Sequence, residues 1–521
     1  MESGTRTGDR SYSTAEIYER VARAANGYRA AGLREGDVVA IMLRNDVAFI
    51  DAMLAANHGG IYSVPINWHF KAREVDYILR DCGARLLIIH ADLLWQLGER
   101  LPSSIRVMAV TVSQEIAKGF SIPPERCVPP PGYLEWERWL QGFSPVAGPP
   151  ASTRGSISYT SGSTGLPKGV RREPVRTEDQ EEYQRLRAAW FGFRRGMRTA
   201  IIGPLYHSVQ ATYAIAAVRA AGVAVLTPRF DPEELLRLIE AERLTHLHLV
   251  PTMMNRLVQL PEAVRRRYGH ASLEFVVHGA APCSPTVKRA LIEWWGPIVH
   301  EYYGTTEAGM ISRSNSEEWL AREGTVGRAW PSRVIRIYDA DGMPLPPNTP
   351  GEIYMSLGVM PNFTYHNADD KRREIERDGL VTNGDTGYLD EDGYLFLCGR
   401  KHDVAICGGV NVYPAETEAV LITHPAVFDC AVFPIPHADL GEVLAAAVQL
   451  RESYAATEQE LESFLRERIA GIKVPRRIEI RDSLPRDPSG KIFKQALRAP
   501  YGSGATPPPR SMALGAEASP S

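Results

Sequence analysis

The chain has 521 residues, 44% of them hydrophobic and 23% charged, with a formal net charge of −3. That balance gives no reason to expect a nucleic-acid partner or attraction to a charged membrane surface, and no apolar run of about 18 residues marks an integral membrane segment. A single core does not extend over this length, so at least two domains are expected, and the six cysteines, without Cys-x-x-Cys or metal spacing, read as reduced thiols of a cytoplasmic protein.

Residues 14–31 have the pattern of an amphipathic helix, with Ile17, Val21, Ala24 and Tyr28 on one side and Thr14 as its cap. Val38–Met42 reads as a buried strand, 46–56 as a helix, 60–65 as a segment holding a second strand, 73–82 as a helix and 86–89 as a third strand. Strands alternating with helices predict a parallel α/β sheet with crossover helices. Residues 127–151 are Pro-rich and read as a connection. The charged stretch 171–187 reads as a solvated helix leading into core at Trp190, Phe191 and Phe193. A strand over 199–203 ends at a turn containing His207, and Asp231 with Pro232 opens another helix. A strand over 245–250 stops at Pro251, Phe275–His278 runs into Gly279-Ala280-Ala281-Pro282, and a helix follows from 284. A strand over 298–302 ends at Tyr303-Gly304-Thr305-Thr306-Glu307. Ligands of open α/β sheets sit outside the carboxyl ends of strands, so these three ends predict one shared cleft.

From 325 the pattern turns to short strands (334–339, 351–355, 393–398) separated by Asp-Gly turns, which suggests a small β-subdomain. Residues 399–403 form a charged hinge, and 416–421, 426–434, 442–450 and 458–470 alternate helix and strand as a compact α+β domain. The expected fold is α/β: a large N-terminal domain of layered parallel α/β subdomains plus a β-subdomain (1–399), a small mobile α+β C-terminal domain (400–500) and a disordered tail (501–521).

The stretch that organises the chain is 156–170, Ser-Ile-Ser-Tyr-Thr-Ser-Gly-Ser-Thr-Gly-Leu-Pro-Lys-Gly-Val. Thr160, Ser161, Ser163 and Thr164 supply hydroxyl donors, Gly162 and Gly165 let backbone amides approach an anion, and Lys168 adds a mobile point charge. Loops built this way cradle phosphates. The spacing is not that of a Walker A loop.

This loop resembles the phosphate loop of the acyl-adenylate-forming superfamily, and the resemblance extends over nearly the whole chain. It implies that Tyr303 stacks on adenine, Thr306 holds the α-phosphate, and Glu307 binds Mg²⁺, which takes carboxylate and phosphate oxygens. Gly279, Ala280 and Ala281 resemble the segment lining adenine and the acyl pocket. Asp385, in a Thr-Asn-Gly-Asp-Thr-Gly-Tyr segment with Asn383 where Thr is usual, resembles the group that accepts from the ribose hydroxyls, and Arg400 resembles the arginine that reaches ribose or phosphate. Lys491, in Pro-Arg-Asp-Pro-Ser-Gly-Lys, resembles the catalytic lysine that bridges the acid and the α-phosphate. His207 matches a histidine of the acyl-pocket motif, either orienting the carboxylate or gating the pocket, or serving as a core residue. Gly408 and Gly409, in Gly-Gly-Val-Asn-Val-Tyr-Pro-Ala-Glu, match the acyl-CoA synthetase branch and would approach the pantetheine path. At the hinge, His402 stands where Asp or Lys is usual, which puts the hinge's behaviour in doubt before the reaction.

The resemblance implies an ATP-dependent carboxylic acid–CoA ligase with ATP, Mg²⁺ and coenzyme A, acting on a small-molecule carboxylic acid. The segments holding His207, Val209, Met253, His278, Gly279 and Gly304 are mainly apolar without an evident Lys or Arg counter-charge, which suggests a hydrophobic fatty, aryl or alicyclic monocarboxylate. Residues 318–327 look like those of bacterial fatty-acid and steroid-acid CoA synthetases. Transfer to an amine or a carrier-protein thiol stays open, as does the choice between monomer and homodimer. A non-enzymatic nucleotide-binding protein has no need of Lys491.

Overall fold

A computed structural model describes residues 4–146, 154–160, 167–407, 410–452, 454–486 and 492–501. The chain divides into two compact units. The first holds residues up to 383 together with 387–397; the second holds 384–386 and the chain from 398 onward.

The first unit contains a five-stranded parallel sheet in the order Tyr62–Pro65, Val38–Met42, Leu86–His90, Arg106–Val110 and Leu134–Glu135. Val38–Met42 and Leu86–His90 are apolar throughout, or nearly so, and every residue is buried, as expected of strands covered on both faces. The helix Thr14–Ala30 is capped by Ser13 rather than by Thr14: the Ser13 hydroxyl accepts from the Glu16 amide and the Glu16 carboxylate accepts from the Ser13 amide, a reciprocal box that the Ser-x-x-Glu spacing encodes. Asp46 caps the helix Val47–His58, whose first ten residues are all buried. The Pro-rich stretch expected as a connection carries the strand Leu134–Glu135 and the helix Trp136–Gln141, with Trp136 fully buried.

The largest sheet has fifteen strands. Gly4–Thr7, Val223–Leu226, Arg198–Ile201, His246–Leu249, Phe275–His278 and Val299–Thr305 lie side by side and parallel. The expected strand ending at 302 runs on through Tyr303-Gly304-Thr305 and turns back as Gly309–Ser314. From there the β-rich stretch continues the same sheet through Thr325–Ala329 and onward, with antiparallel pairs that include Ile335–Tyr338 against Gly351–Met355. A separate antiparallel sheet joins Phe363–Tyr365, Lys168–Arg172 and Ser158–Thr160. The charged stretch after it becomes the helix Gln180–Trp190, and Trp190 and Phe191 pack with Met197, Tyr213, Val277 and Tyr302.

The second unit has a sheet in the order Val410–Val412, Ala405–Cys407, Gly441–Leu450 and Val427–His437, with Arg477–Ile480 parallel to Gly441–Leu450. The helices Pro414–Leu421 and Glu458–Arg466 contribute Leu421, Leu461 and Leu465 to its core. The six cysteines are free thiols. Among the described residues no helix is long and apolar enough to cross a membrane. The proposed tail lies outside the described residues from 502 onward.

Candidate active site

The three-stranded sheet brings the lysine of the phosphate loop to the acidic motif. Lys168, Val170 and Arg172 alternate onto one face of their strand. Across from them, Tyr365 pairs in register with Val170 and Phe363 with Arg172. The Lys168 ammonium lies 5.4 Å from the centroid of the Tyr365 ring, and the phenol of that same ring donates to Glu307 Oε1 at 3.1 Å. Tyr303 is buried and packs with Val170, Phe363 and Tyr365. A cation, a carboxylate and an aromatic plane thus meet around Tyr365.

The backbone of the motif is held as firmly. Arg172 donates to the carbonyls of Thr306 at 2.8 Å and Glu307 at 2.7 Å, and to Pro361 at 3.0 Å. Thr305 Oγ1 accepts from the Ala308 amide at 2.8 Å, closing the turn that presents Thr306 and Glu307. A Cβ on Gly304 would lie 2.6 Å from the Gly309 carbonyl, so the hairpin closes this tightly only over a glycine. Sequence reasoning missed Arg172 and Tyr365. The alternation of Lys168 and Arg172 was the available signal for the first; no local pattern marks the second.

The next strand end lies beside this one. At Gly279 a Cβ would fall 2.6 Å from the Tyr302 carbonyl, so the turn is pressed onto the strand that carries Tyr303. Ala280 follows with φ +69°, a left-handed conformation that a non-glycine residue holds only where its surroundings impose it. Ala281 completes the turn before the helix Pro285–Trp295. His207 stands at the N-cap of the helix Ser208–Ala220, its ring 4.4 Å from that of Tyr206.

Buried polar groups occupy both faces of these strands. His248 lies 3.1 Å from Gln210 Nε2 and 3.0 Å from the Tyr302 hydroxyl, and burial holds its pKa down to about 3. On the opposite face His278 pairs in register with Glu301, its Nε2 3.9 Å from Glu301 Oε2, and Lys288 Nζ reaches Glu301 Oε2 at 2.6 Å. Lys288 is fully buried, and its ammonium is matched by Glu301. Met253 is likewise packed in the core.

In the second unit Arg400 Nε lies 2.7 Å from Asp385 Oδ1. The Lys401 amide donates to the Gly384 carbonyl at 2.8 Å, and the Thr386 hydroxyl to the Gly399 carbonyl at 3.3 Å. Ser161, Gly162, Ser163, Thr164, Gly165, Gly408, Gly409 and Lys491 lie outside the described residues; Thr160 is the last residue of its strand, paired with Lys168.

The AMP-binding enzyme profile matches residues 4–360, and the AMP-binding enzyme C-terminal domain matches 416–491. The chain belongs to the AMP-binding enzyme family. It is an AMP-forming enzyme of the acyl-CoA synthetase branch. It is 31% identical over 511 residues to a feruloyl-CoA synthase of Amycolatopsis sp, covering 96% of each chain. It is 29% identical over 491 residues to a fatty acid–[acyl-carrier-protein] ligase of Streptomyces coeruleorubidus, covering 93% of this chain and 91% of that one. Among solved structures, the amide bond synthetase McbA from Marinactinospora thermotolerans superposes with a TM-score of 0.83 at 25% identity, covering 96% of each chain. The parallel α/β architecture of this AMP-binding enzyme is that of its structural neighbours.

Proposed function

We propose that this AMP-binding enzyme is a cytoplasmic carboxylic acid–CoA ligase acting on a hydrophobic fatty, aryl or alicyclic monocarboxylate. The observation that carries the reading is the convergence of Lys168 and Glu307 on Tyr365, next to the pressed Gly279–Ala280 turn. In the first step the acid's carboxylate oxygen bonds to the α-phosphorus of ATP and the bond to pyrophosphate breaks. In the second step the CoA thiolate attacks the acyl carbon and AMP leaves with the bonding pair.

Tyr303 and the 279–281 turn hold adenine between them; Thr306, with the hydroxyls and amides of residues 160–165 and Lys168, meets the phosphates. Asp385 accepts from the ribose hydroxyls, and Arg400 reaches ribose or phosphate. Glu307, oriented by the Tyr365 hydroxyl and half-buried, would supply a carboxylate ligand to Mg²⁺, a cation that takes carboxylate oxygens. Bound there, Mg²⁺ neutralises phosphate charge. Lys491 places a cation where charge builds in the first transition state. Catalysis of this kind is positioning and electrostatics.

The second unit serves both steps by turning about residue 402, withdrawing Lys491 and bringing in Gly408 and Gly409. A His402→Lys variant is expected to alter the pH profile of the thioester step; an unchanged profile removes the histidine from that role.

The deciding experiment is pyrophosphate release with ATP, Mg²⁺ and a panel of fatty, aryl and alicyclic acids, each with and without CoA. Release with thioester formation is expected. Accumulation of acyl-adenylate with CoA present moves the acceptor to an amine or a carrier-protein thiol, the alternatives that the carrier-protein ligase and the amide synthetase keep in view. Lys491→Ala is expected to slow pyrophosphate release by about a hundredfold or more, the scale of removing one preorganised electrostatic group. Mass measurement in solution distinguishes monomer from homodimer.

A further inference from the structure

We propose that Lys288 is a positioning residue for the nucleotide: from behind the sheet it fixes Glu301, and through it the two segments that would clasp adenine. The inference rests on the reading of this site as an ATP site.

Lys288 sits on the helix that follows the 279–284 turn, and its side chain is almost wholly inaccessible to solvent. Its ammonium has two neighbours of note. One is Glu301 Oε2 at 2.6 Å; the other is the Trp319 ring, with its centroid 4.7 Å away. Glu301 lies two residues before Tyr303, in a strand that carries the motif onward. Beside Glu301 in register is His278, one residue before Gly279. The triangle of His278, Lys288 and Glu301 therefore joins the start of the 279–284 turn, the helix at its end, and the base of the 303–307 motif.

The arrangement is a poor way to gain stability alone. Taking an ammonium and a carboxylate out of water costs several kcal/mol per ion, and apolar residues of the same volume often serve as well. Neither ring nitrogen of His278 has a hydrogen-bond partner among the described residues, so the imidazole does not share the load. Burial lifts the Glu301 carboxyl above its ordinary range, and Lys288 opposes that lift. What the pair does supply is a fixed direction: one short charge-assisted bond ties the helix to the strand at the place where Ala280 is held left-handed and Gly279 is pressed against Tyr302.

The test compares wild type, Lys288→Met and the double variant Lys288→Met/Glu301→Gln, with ATP affinity measured by calorimetry and melting temperature measured alongside. A positioning role predicts ATP binding weakened about tenfold or more in the single variant, the scale of one lost charge-assisted hydrogen bond, while acid KM stays near the wild-type value. The double variant, which no longer buries an unmatched charge, regains melting temperature but keeps the weakened ATP binding. A double variant that binds ATP like wild type overturns the proposal and leaves the pair a packing feature; this readout decides even where Lys288→Met fails to fold. Wild type that binds ATP, with the double variant weaker, but releases no pyrophosphate with any acid keeps this inference and removes the ligase reading instead.

Discussion

On one face of the strands His246–Leu249, Phe275–His278 and Val299–Thr305, His248 is a neutral imidazole with a partner near each nitrogen, Gln210 on one side and Tyr302 on the other. On the opposite face His278, equally buried, has no such partners among the described residues and lies against the Lys288–Glu301 pair. One face thus settles its polar groups with dipoles, the other with opposed charges. A neutral hydrogen-bonded chain costs little to keep and a moderate amount to break, whereas a dry ion pair adds little net stability while intact and costs much when halved. The difference sets the order of the effects expected from changing each.

The largest is expected from Lys288→Met, which leaves Glu301 buried and unmatched: about 3–5 kcal/mol of unfolding free energy lost in urea titration. A loss under about 1 kcal/mol breaks the contrast, because the charged face would then behave like the neutral one. Next is acidification. The folded pKa of His248 is depressed to about 3, so the unfolded chain takes up its proton first as pH falls. Stability supplied by the neutral ring is present above the unfolded value near 6.5 and is lost downward from there, by about 2 kcal/mol between pH 7 and pH 5. His278, also held well below its ordinary range by burial and by Lys288, contributes with the same sign. Equilibrium unfolding at the two pH values measures the slope, and it should flatten in His248→Asn. Tyr302→Phe removes one partner of His248 and is expected to cost about 1 kcal/mol or somewhat more. The smallest effect belongs to His278→Leu. With no side-chain hydrogen bond to lose among the described residues, the change is expected to fall within about 1 kcal/mol. A cost above about 2 kcal/mol would mean that His278 is paired in solution and would merge the two faces.

Much of this fold was legible because its signals are local. Asp231 accepts from the Glu234 amide at the start of Pro232–Glu242, where the Asp-Pro pair announced a helix. The apolar run Phe275–His278 begins and ends where it was read. Boundaries slipped where pairing outweighs propensity: Gly304 lies inside a strand because the hairpin with Gly309–Ser314 supplies its partners. Trp136–Gln141 was hidden by the prolines around it, though Trp136 anchors it in the core. At the site, the resemblance pointed to Lys168, Tyr303 and Glu307, yet nothing in the sequence says that Tyr365 joins them. Tyr365 is 197 positions from Lys168 in the chain and adjacent to it in space. Lys288 and Glu301, 13 positions apart, carry no pattern that distinguishes a buried pair from two solvated charges.

One feature of the second unit bears on how this protein can be cut and joined. Its three residues 384–386 come from a stretch of chain that then returns to the first unit before 398. The Arg400–Asp385 pair, the Lys401–Gly384 bond and the Thr386–Gly399 bond all cross that interruption. A gene fragment beginning at 398 therefore encodes the unit without three of its own residues. A chimaera with a single junction after 397 asks two parents to complete one strand pair, whereas a junction before 384 keeps those bonds within one parent and carries residues 387–397 along with them.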